Sequence, residues 1–341
     1  MFAFVRKCLG GLVLLMSSTV MAAPLATSSK DLKDQLIEFE YLVKIPPLKD
    51  TDLPLQLMVP LPPSNAQQIV LTRDISAVPS QVLSLSRVAR EPKYGNEFWA
   101  VTLNEASKVE QQISFRYKVL RHPHRSEDWT QQSKADYDKG ERDALQLYLK
   151  ADKRVPIEGE LITQLRKELP KEAQKPTEKA KAIFDYVVDH MEYKKVGSGW
   201  GQGDTYWACS QKYGNCTDFH ALLTSMARAE GIPTQFGIGF PIPTDRSEGE
   251  ISGYHCWLEL YLPKLGWTPV DASEAKKHPE QRALLFGQHP ADRILFSQGR
   301  DLELPGMKGP ALNYFIFPYV EREGKMVKDL VNTQFRYRLV E

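Results

Sequence analysis

The sequence predicts an α+β protein in which an N-terminal β-sandwich precedes a core of mixed helices and strands. Three observations carry this. Residues 34–124 hold short runs in which apolar and polar side chains alternate, the period of a half-buried strand. From residue 157 apolar positions recur at helical spacing, and beyond residue 234 strand-like runs return. With 341 residues and 42% hydrophobic content the chain exceeds one ordinary core, since single domains usually run to about 100–200 residues.

The sandwich is assigned to residues 33–125, from the strands LIEFEYLVKI, PLQLMVPLP, FWAVTL and QQISFRYKVL between Pro, Asn and Gly turns. In the last run Ile113, Phe115, Tyr117 and Val119 share one face, and Ser114, Arg116 and Lys118 the other. No His, Cys or paired-carboxylate cluster falls among them, so a scaffold or recognition role is expected. Residues 126–152 form a polar connector that wraps the surface. The core, residues 153–306, opens with helices in IEGELITQLRKEL and TEKAKAIFDYVVDHM, where Ile183, Val187 and Met191 make a core-facing stripe and Thr177 is expected to cap. A Gly- and aromatic-rich loop, YKKVGSGWGQGDTYWACSQKYGNC, runs into CTDFHALLTSMARAEG, whose Phe219, Leu222, Leu223, Met226 and Ala227 form an apolar helix face ended by Gly231. TQFGIGF, YHCWLELYL and GWTPVDAS read as strands. The loop from Asp245 to Glu250 reads as solvated acidic chain in preference to a lid over a basic or amine-bearing ligand. NYFIFPYVE and TQFRYRLV, in residues 307–341, are expected to extend a sheet.

Lys and Arg number 44 against 43 Asp and Glu, so the net charge of +1 creates no field for polyphosphates, and nucleic acid is excluded as a partner. The opening MFAFVRKCLGGLVLLMSSTVMAAP has Arg6 and Lys7, an apolar run and small residues to Ala22, the layout of a signal peptide over residues 1–22 cut before Ala23. No later stretch has the length and apolarity to span a bilayer, so a periplasmic or secreted protein is expected. Loss of Cys8 leaves Cys209, Cys216 and Cys256, an odd number in an oxidising compartment, so one thiol stays free or pairs with another chain.

The helix assignment puts Cys216 in a first turn, where unpaired N–H groups favour the thiolate, the nucleophilic form. Asn215 is the natural N-cap, Gly214 allows the turn before it, and Asp218 reaches back as in a capping box. On YHCWLELYL, His255 shares a face with Trp257, Glu259 and Tyr261, while Cys256 points the other way into the core. Counting back from the turn PKLG sets Asp271 within a residue or two of the level of His255. Singly, His255 and Asp271 have ordinary structural readings; in this order they make a Cys–His–Asp triad, with the imidazole as base and the carboxylate fixing its tautomer.

YGNCTDFHALLTSMARAEGIPTQFGIGFPIP, followed by GYHCWLELYL and GWTPVDASEA, resembles the core of the transglutaminase-like superfamily of papain-like cysteine enzymes. The resemblance covers residues 155–296, and the N-terminal unit is similar to a module that often precedes this core in bacteria. It implies a transglutaminase-like (papain-like cysteine protease) core behind the sandwich, with Cys216 as nucleophile, His255 as general base and Asp271 as orienting acid. An oxyanion needs a second donor beside the Cys216 N–H; the indole of Trp200 or Trp207 is a candidate, with aromatic packing under the loop the favoured reading of both. His220, one turn along the helix, either supports the site or packs. A Cys209–Cys256 disulfide would leave Cys216 free. Tight Cys pairs of the zinc type are lacking, so neither metal nor cofactor is expected. The implied activity is hydrolysis of peptide or isopeptide bonds through an acyl-enzyme. Its rivals are protein-glutamine transamidation and a non-catalytic binding or assembly protein that keeps the fold. The implied partner is a peptide or protein, cell-wall peptide included, and nothing in the sequence sets an oligomeric state.

Overall fold

The computed structural model describes residues 32–126, 129–132 and 134–340. The signal peptide assigned to residues 1–22, with Cys8, lies outside them. The first part of the chain gives β1 (Gln35–Ile45), β2 (Leu55–Pro60), β3 (Gln68–Val78), the single turn α1 (Gln81–Ser84), β4 (Ser86–Arg90), β5 (Glu97–Leu103), β6 (Gln111–Arg121) and β7 (His124–Arg125). There follow α2 (Lys139–Ala144), α3 (Glu160–Lys167), α4 (Pro176–His190), β8 (Glu192–Tyr193), α5 (Thr205–Gln211), β9 (Tyr213–Gly214) and α6 (Cys216–Ala229). Then come β10 (Thr234–Pro241), β11 (Glu248–Glu250), β12 (His255–Leu262), β13 (Gly266–Val270), α7 (Ala272–Lys277), β14 (Gln288–His289) and β15 (Arg293–Gln298). The chain closes with β16 (Tyr319–Arg322), β17 (Lys325–Met326) and β18 (Asn332–Val340).

Two five-stranded sheets, β11-β18-β1-β6-β3 and β17-β16-β2-β5-β4, make the sandwich. Alternation explains it: Ile37, Phe39, Tyr41, Val43 and Ile45 of β1 and Ile113, Phe115, Tyr117 and Val119 of β6 all point into the core. Trp99 of β5 meets Phe115 edge-on at 5.4 Å across the gap. The C-terminal segment completes both sheets, β18 against β1 and β16 against β2. The run from Asp245 to Glu250 is solvent-exposed apart from half-buried Gly249, but its last three residues form β11, which pairs with β18, and Glu250 meets Arg336 at 3.3 Å. β3 and β4 escape the periodic pattern because both lie at sheet edges with most side chains exposed.

The second unit is a four-stranded antiparallel sheet, β13-β12-β10-β15, with α6 against β12 and α4, α5 and α7 packed around α6. Every residue from Cys216 to Arg228 is buried. Gly239 of β10 is dictated by close approach, since a Cβ there would lie 1.8 Å from the Ile294 carbonyl oxygen of β15. Phe240 and Phe296 of this sheet enter the sandwich core beside Phe39 and Tyr41, so the two units share one apolar interior. Thr177 is not the cap of α4: Pro176 occupies the first helical position and Lys175 the N-cap, leaving Thr177 buried inside the helix.

Candidate active site

The head of α6 is tightly fixed. Asn215 Oδ1 accepts from the Thr217 N–H at 3.0 Å and its hydroxyl at 2.6 Å, and Asp218 Oδ2 accepts from the Asn215 N–H at 3.0 Å, closing a capping box. Asp218 also accepts from Gly201 N–H at 2.6 Å and Gly203 N–H at 3.0 Å, clamping the glycine loop onto the helix. Burial pushes the Asp218 carboxyl up, against the pull of these three N–H groups. Gly214 is required here by space: a Cβ would fall 2.4 Å from Asp218 Oδ2.

Asp271 ends β13 and caps α7. Its Oδ1 accepts from the Glu274 N–H and the Ser273 hydroxyl, each at 3.0 Å, and its Oδ2 from His255 Nε2 at 2.6 Å and Arg293 Nη1 at 3.2 Å. His255 Nδ1 is thereby the ring nitrogen left for sulfur, and the imidazole and the Cys216 sulfur act on one another's charge. Burial alone would favour neutral imidazole, but the Asp271 carboxylate and the Cys216 sulfur outweigh it and push His255 up to about 10. For Cys216 burial works against ionisation, and the hydrogen bonds from Cys256 and His255 with the neighbouring positive charge bring it well below the ordinary thiol. Asp271, buried too, is held well below the usual carboxylate range by His255 and, after it, Arg293. The arrangement suits a thiolate–imidazolium pair with a fixed carboxylate behind it.

Cys256 joins the buried core, as alternation predicts, and its thiol also acts on that of Cys216. At residues 255–256 the strand pairs with β10, while its pairing with β13 ends at Leu258, so both residues sit at the end of the sheet. The Cys209–Cys256 disulfide does not form: all three described cysteines are free. Cys209 lies half-buried on α5 near Tyr186 of α4, while the sulfur beside Cys256 is that of Cys216.

The two indoles follow the packing reading. Trp200 Nε1 donates to the Gly197 carbonyl at 3.2 Å within its own loop, so that N–H is spent and does not serve an oxyanion. The Trp207 indole abuts Gly199 and its ring meets Tyr213 edge-on at 5.2 Å, a packing role. Sequence reasoning missed Tyr254 and Tyr314. Asn215 Nδ2 donates to the Tyr254 hydroxyl at 3.1 Å, and the Tyr314 hydroxyl, 3.4 Å from that of Tyr254, donates to the Gly201 carbonyl at 3.0 Å. Arg300, also missed, donates to the Gly203 carbonyl at 2.7 Å. Tyr254 adjoins His255 in sequence, a signal that was available; Tyr314 and Arg300 arrive through tertiary packing alone. His220 is fully buried with Nδ1 3.4 Å from Cys256 Sγ. Among the described residues no group of His, Cys, Asp and Glu is set to hold a metal ion. A hollow of about 740 Å³ lies elsewhere, on the outer face of the β1 sheet, where Glu38, Glu40, Arg336 and Arg338 pair among themselves.

Residues 163–272 match the family model described as Transglutaminase-like superfamily, a stretch that contains Cys216, His255 and Asp271. These residues form a transglutaminase-like core. A curated relative, an uncharacterised protein of Haemophilus influenzae, is 29% identical over 229 residues, 58% of this chain, and the match spans 62% of that protein's length. A crystal structure from Cytophaga hutchinsonii, described as a candidate cysteine protease, superposes with a TM-score of 0.61 at 15% identity over 91% of this chain and 93% of its own. That likeness shows the same fold around the transglutaminase-like core. The periplasmic domain of TgpA from Pseudomonas aeruginosa aligns over 72% of this chain and 90% of its own at 16% identity, with a TM-score of 0.30 that adds nothing to the fold.

Proposed function

We propose that the chain is an exported cysteine enzyme that hydrolyses amide bonds in peptides or isopeptides, with Cys216 as nucleophile, His255 as base and acid, and Asp271 as orienting group. The observation that carries this is the 2.6 Å bond from His255 Nε2 to Asp271, with the sulfur of Cys216, at the head of a buried helix, acting on the same imidazole. The thiolate attacks the amide carbonyl carbon, forming the C–S bond. The His255 imidazolium gives its proton to the leaving nitrogen as the C–N bond breaks, and an acyl-enzyme thioester remains. Neutral His255 then takes a proton from water, whose oxygen attacks the thioester, and the acid leaves as the thiolate returns. The Cys216 N–H supplies one oxyanion donor. Export rests on the N-terminal layout of residues 1–22; among the described residues, no helix is long and apolar enough to cross a membrane.

A thiol-directed electrophile tests the nucleophile. Cys216 should label far faster than in denatured chain and lose that advantage in His255→Ala; equal rates would remove the enzyme reading. A glutamine peptide incubated with an amine then separates the fates of the acyl group: ammonia without adduct fits hydrolysis, whereas a peptide–amine adduct would make the protein a transamidase.

A further inference from the structure

Two sulfurs meet at the head of α6, and the triad chemistry uses one of them. Cys256 is fully buried, its thiol and that of Cys216 act on one another, and His220 Nδ1, one turn along α6 from Cys216, lies 3.4 Å from its sulfur. We propose that Cys256 is a positioning residue for Cys216: its thiol donates a hydrogen bond to the Cys216 thiolate and is itself aimed by the N–H of His220. This rests on the reading of Cys216 as nucleophile.

A proton count fixes the direction of each bond. A thiolate carries no hydrogen, so the proton between the sulfurs must belong to Cys256 and point at Cys216. The Cys256 sulfur then has only lone pairs to offer His220, and His220 Nδ1 must be the donor. Burial holds His220 below its ordinary value, against the pull of Asp271, so its ring is neutral and carries one N–H, the one on Nδ1. Nε2 is thereby left bare. It has no hydrogen-bond partner among the described residues, and the nearest carboxylate oxygen, Asp271 Oδ1, stands 3.6 Å away and already accepts from Ser273 and Glu274. His220 and Cys216 are four residues apart on one helix, so the fold that presents the nucleophile also presents the group that aims its second donor.

The thiolate thus receives two donors, His255 from one side and Cys256 from the other. Other groups bear on its charge. From α6 itself come His220 and Asp218, the latter opposing ionisation. From β12 and the residue before it come His255, Cys256 and Tyr254, while Asp271 and Glu274, at the start of α7, act through His255. Tyr193 of β8 and Tyr314 face it as neutral phenols, and Arg300 acts on Cys256. Arg293 acts through Asp271.

The test is the pH dependence of Cys216 alkylation by iodoacetamide, read by peptide mass spectrometry in the intact chain and in Cys256→Val and Cys256→Ser. Valine fills the space without a donor, and serine restores an O–H. The midpoint should rise by about one unit in Cys256→Val, a roughly tenfold loss of labelling at acid pH, and return most of the way in Cys256→Ser. An unchanged midpoint with valine, or a shift with serine as large as with valine, would overturn the inference while leaving Cys216 as nucleophile. An ordinary thiol midpoint in the unaltered chain would overturn both. Should Cys256→Val not fold, the S–H stretching band of Cys256 in a chain carrying Cys8→Ser and Cys209→Ser decides the matter. It should move to lower frequency as Cys216 ionises, and a band that stays in place contradicts the hydrogen bond.

Discussion

Asp271 is the residue on which the charge of the site converges, held by His255, Arg293, Ser273 and the first turn of α7. Replacing it with Asn turns part of this acceptor into a donor facing Arg293 and His255. Asp271→Asn should lower kcat/KM on a reporter amide or ester by about 10²–10⁴-fold with little change in KM. The pH profile should move with it. The competent pair needs Cys216 ionised and His255 protonated, so activity rises through the depressed thiol value and falls as pH passes about 10, where His255 loses its proton. Without the carboxylate, His255 releases its proton earlier, and the alkaline limb should shift to lower pH. Cys216, His255 and Asp271 were legible because each sits at an element boundary that local pattern marks: a cap, a strand start, a strand end. Arg293 and Tyr314 were not, since nothing local distinguishes a buried arginine under Trp257 from an exposed one.

The decisive element is α6, which presents sulfur only while its first turn stays locked. Gly214→Ala would set a methyl 2.4 Å from Asp218 Oδ2, forcing the carboxylate off the Asn215, Gly201 and Gly203 N–H groups or the β9 backbone away. We expect a loss of about 2–3 kcal/mol in denaturant unfolding, from the broken cap and buried donors left unpaired, together with slower Cys216 alkylation. An unchanged midpoint would mean that the clamp does not hold the helix. Elements with one dry and one wet face, such as β1 and β6, were readable from alternation. β3 was not, because an edge strand with few buried side chains leaves no such record. Nor was the pairing of β11 with β18, which depends on what the C-terminal strand offers and not on the acidic loop's own composition.

Across the whole molecule, sandwich and transglutaminase-like core are built into one another. Phe240 and Phe296 enter the sandwich interior, and Glu38 and Arg338, 300 residues apart, pair across β1 and β18. The C-terminal segment serves both ends, since Asn313 and Tyr314 donate to the carbonyls of Gln202 and Gly201 beside the helix head. A chain cut after residue 306 should therefore lose its cooperative thermal transition, as followed by circular dichroism, and its Cys216 should label like that of denatured protein. Composition marks the segments in order, but a strand that returns across the full chain leaves no trace in local pattern. The central claim is that the fold ionises Cys216 by setting His255 beside it, and the most direct measurement is the alkylation rate of Cys216 against pH in the native chain and in His255→Ala. The account predicts a native midpoint well below that of an ordinary thiol, moving up to or beyond the ordinary value without the imidazole. A native profile that coincides with that of the denatured chain, or one indifferent to His255→Ala, would contradict it.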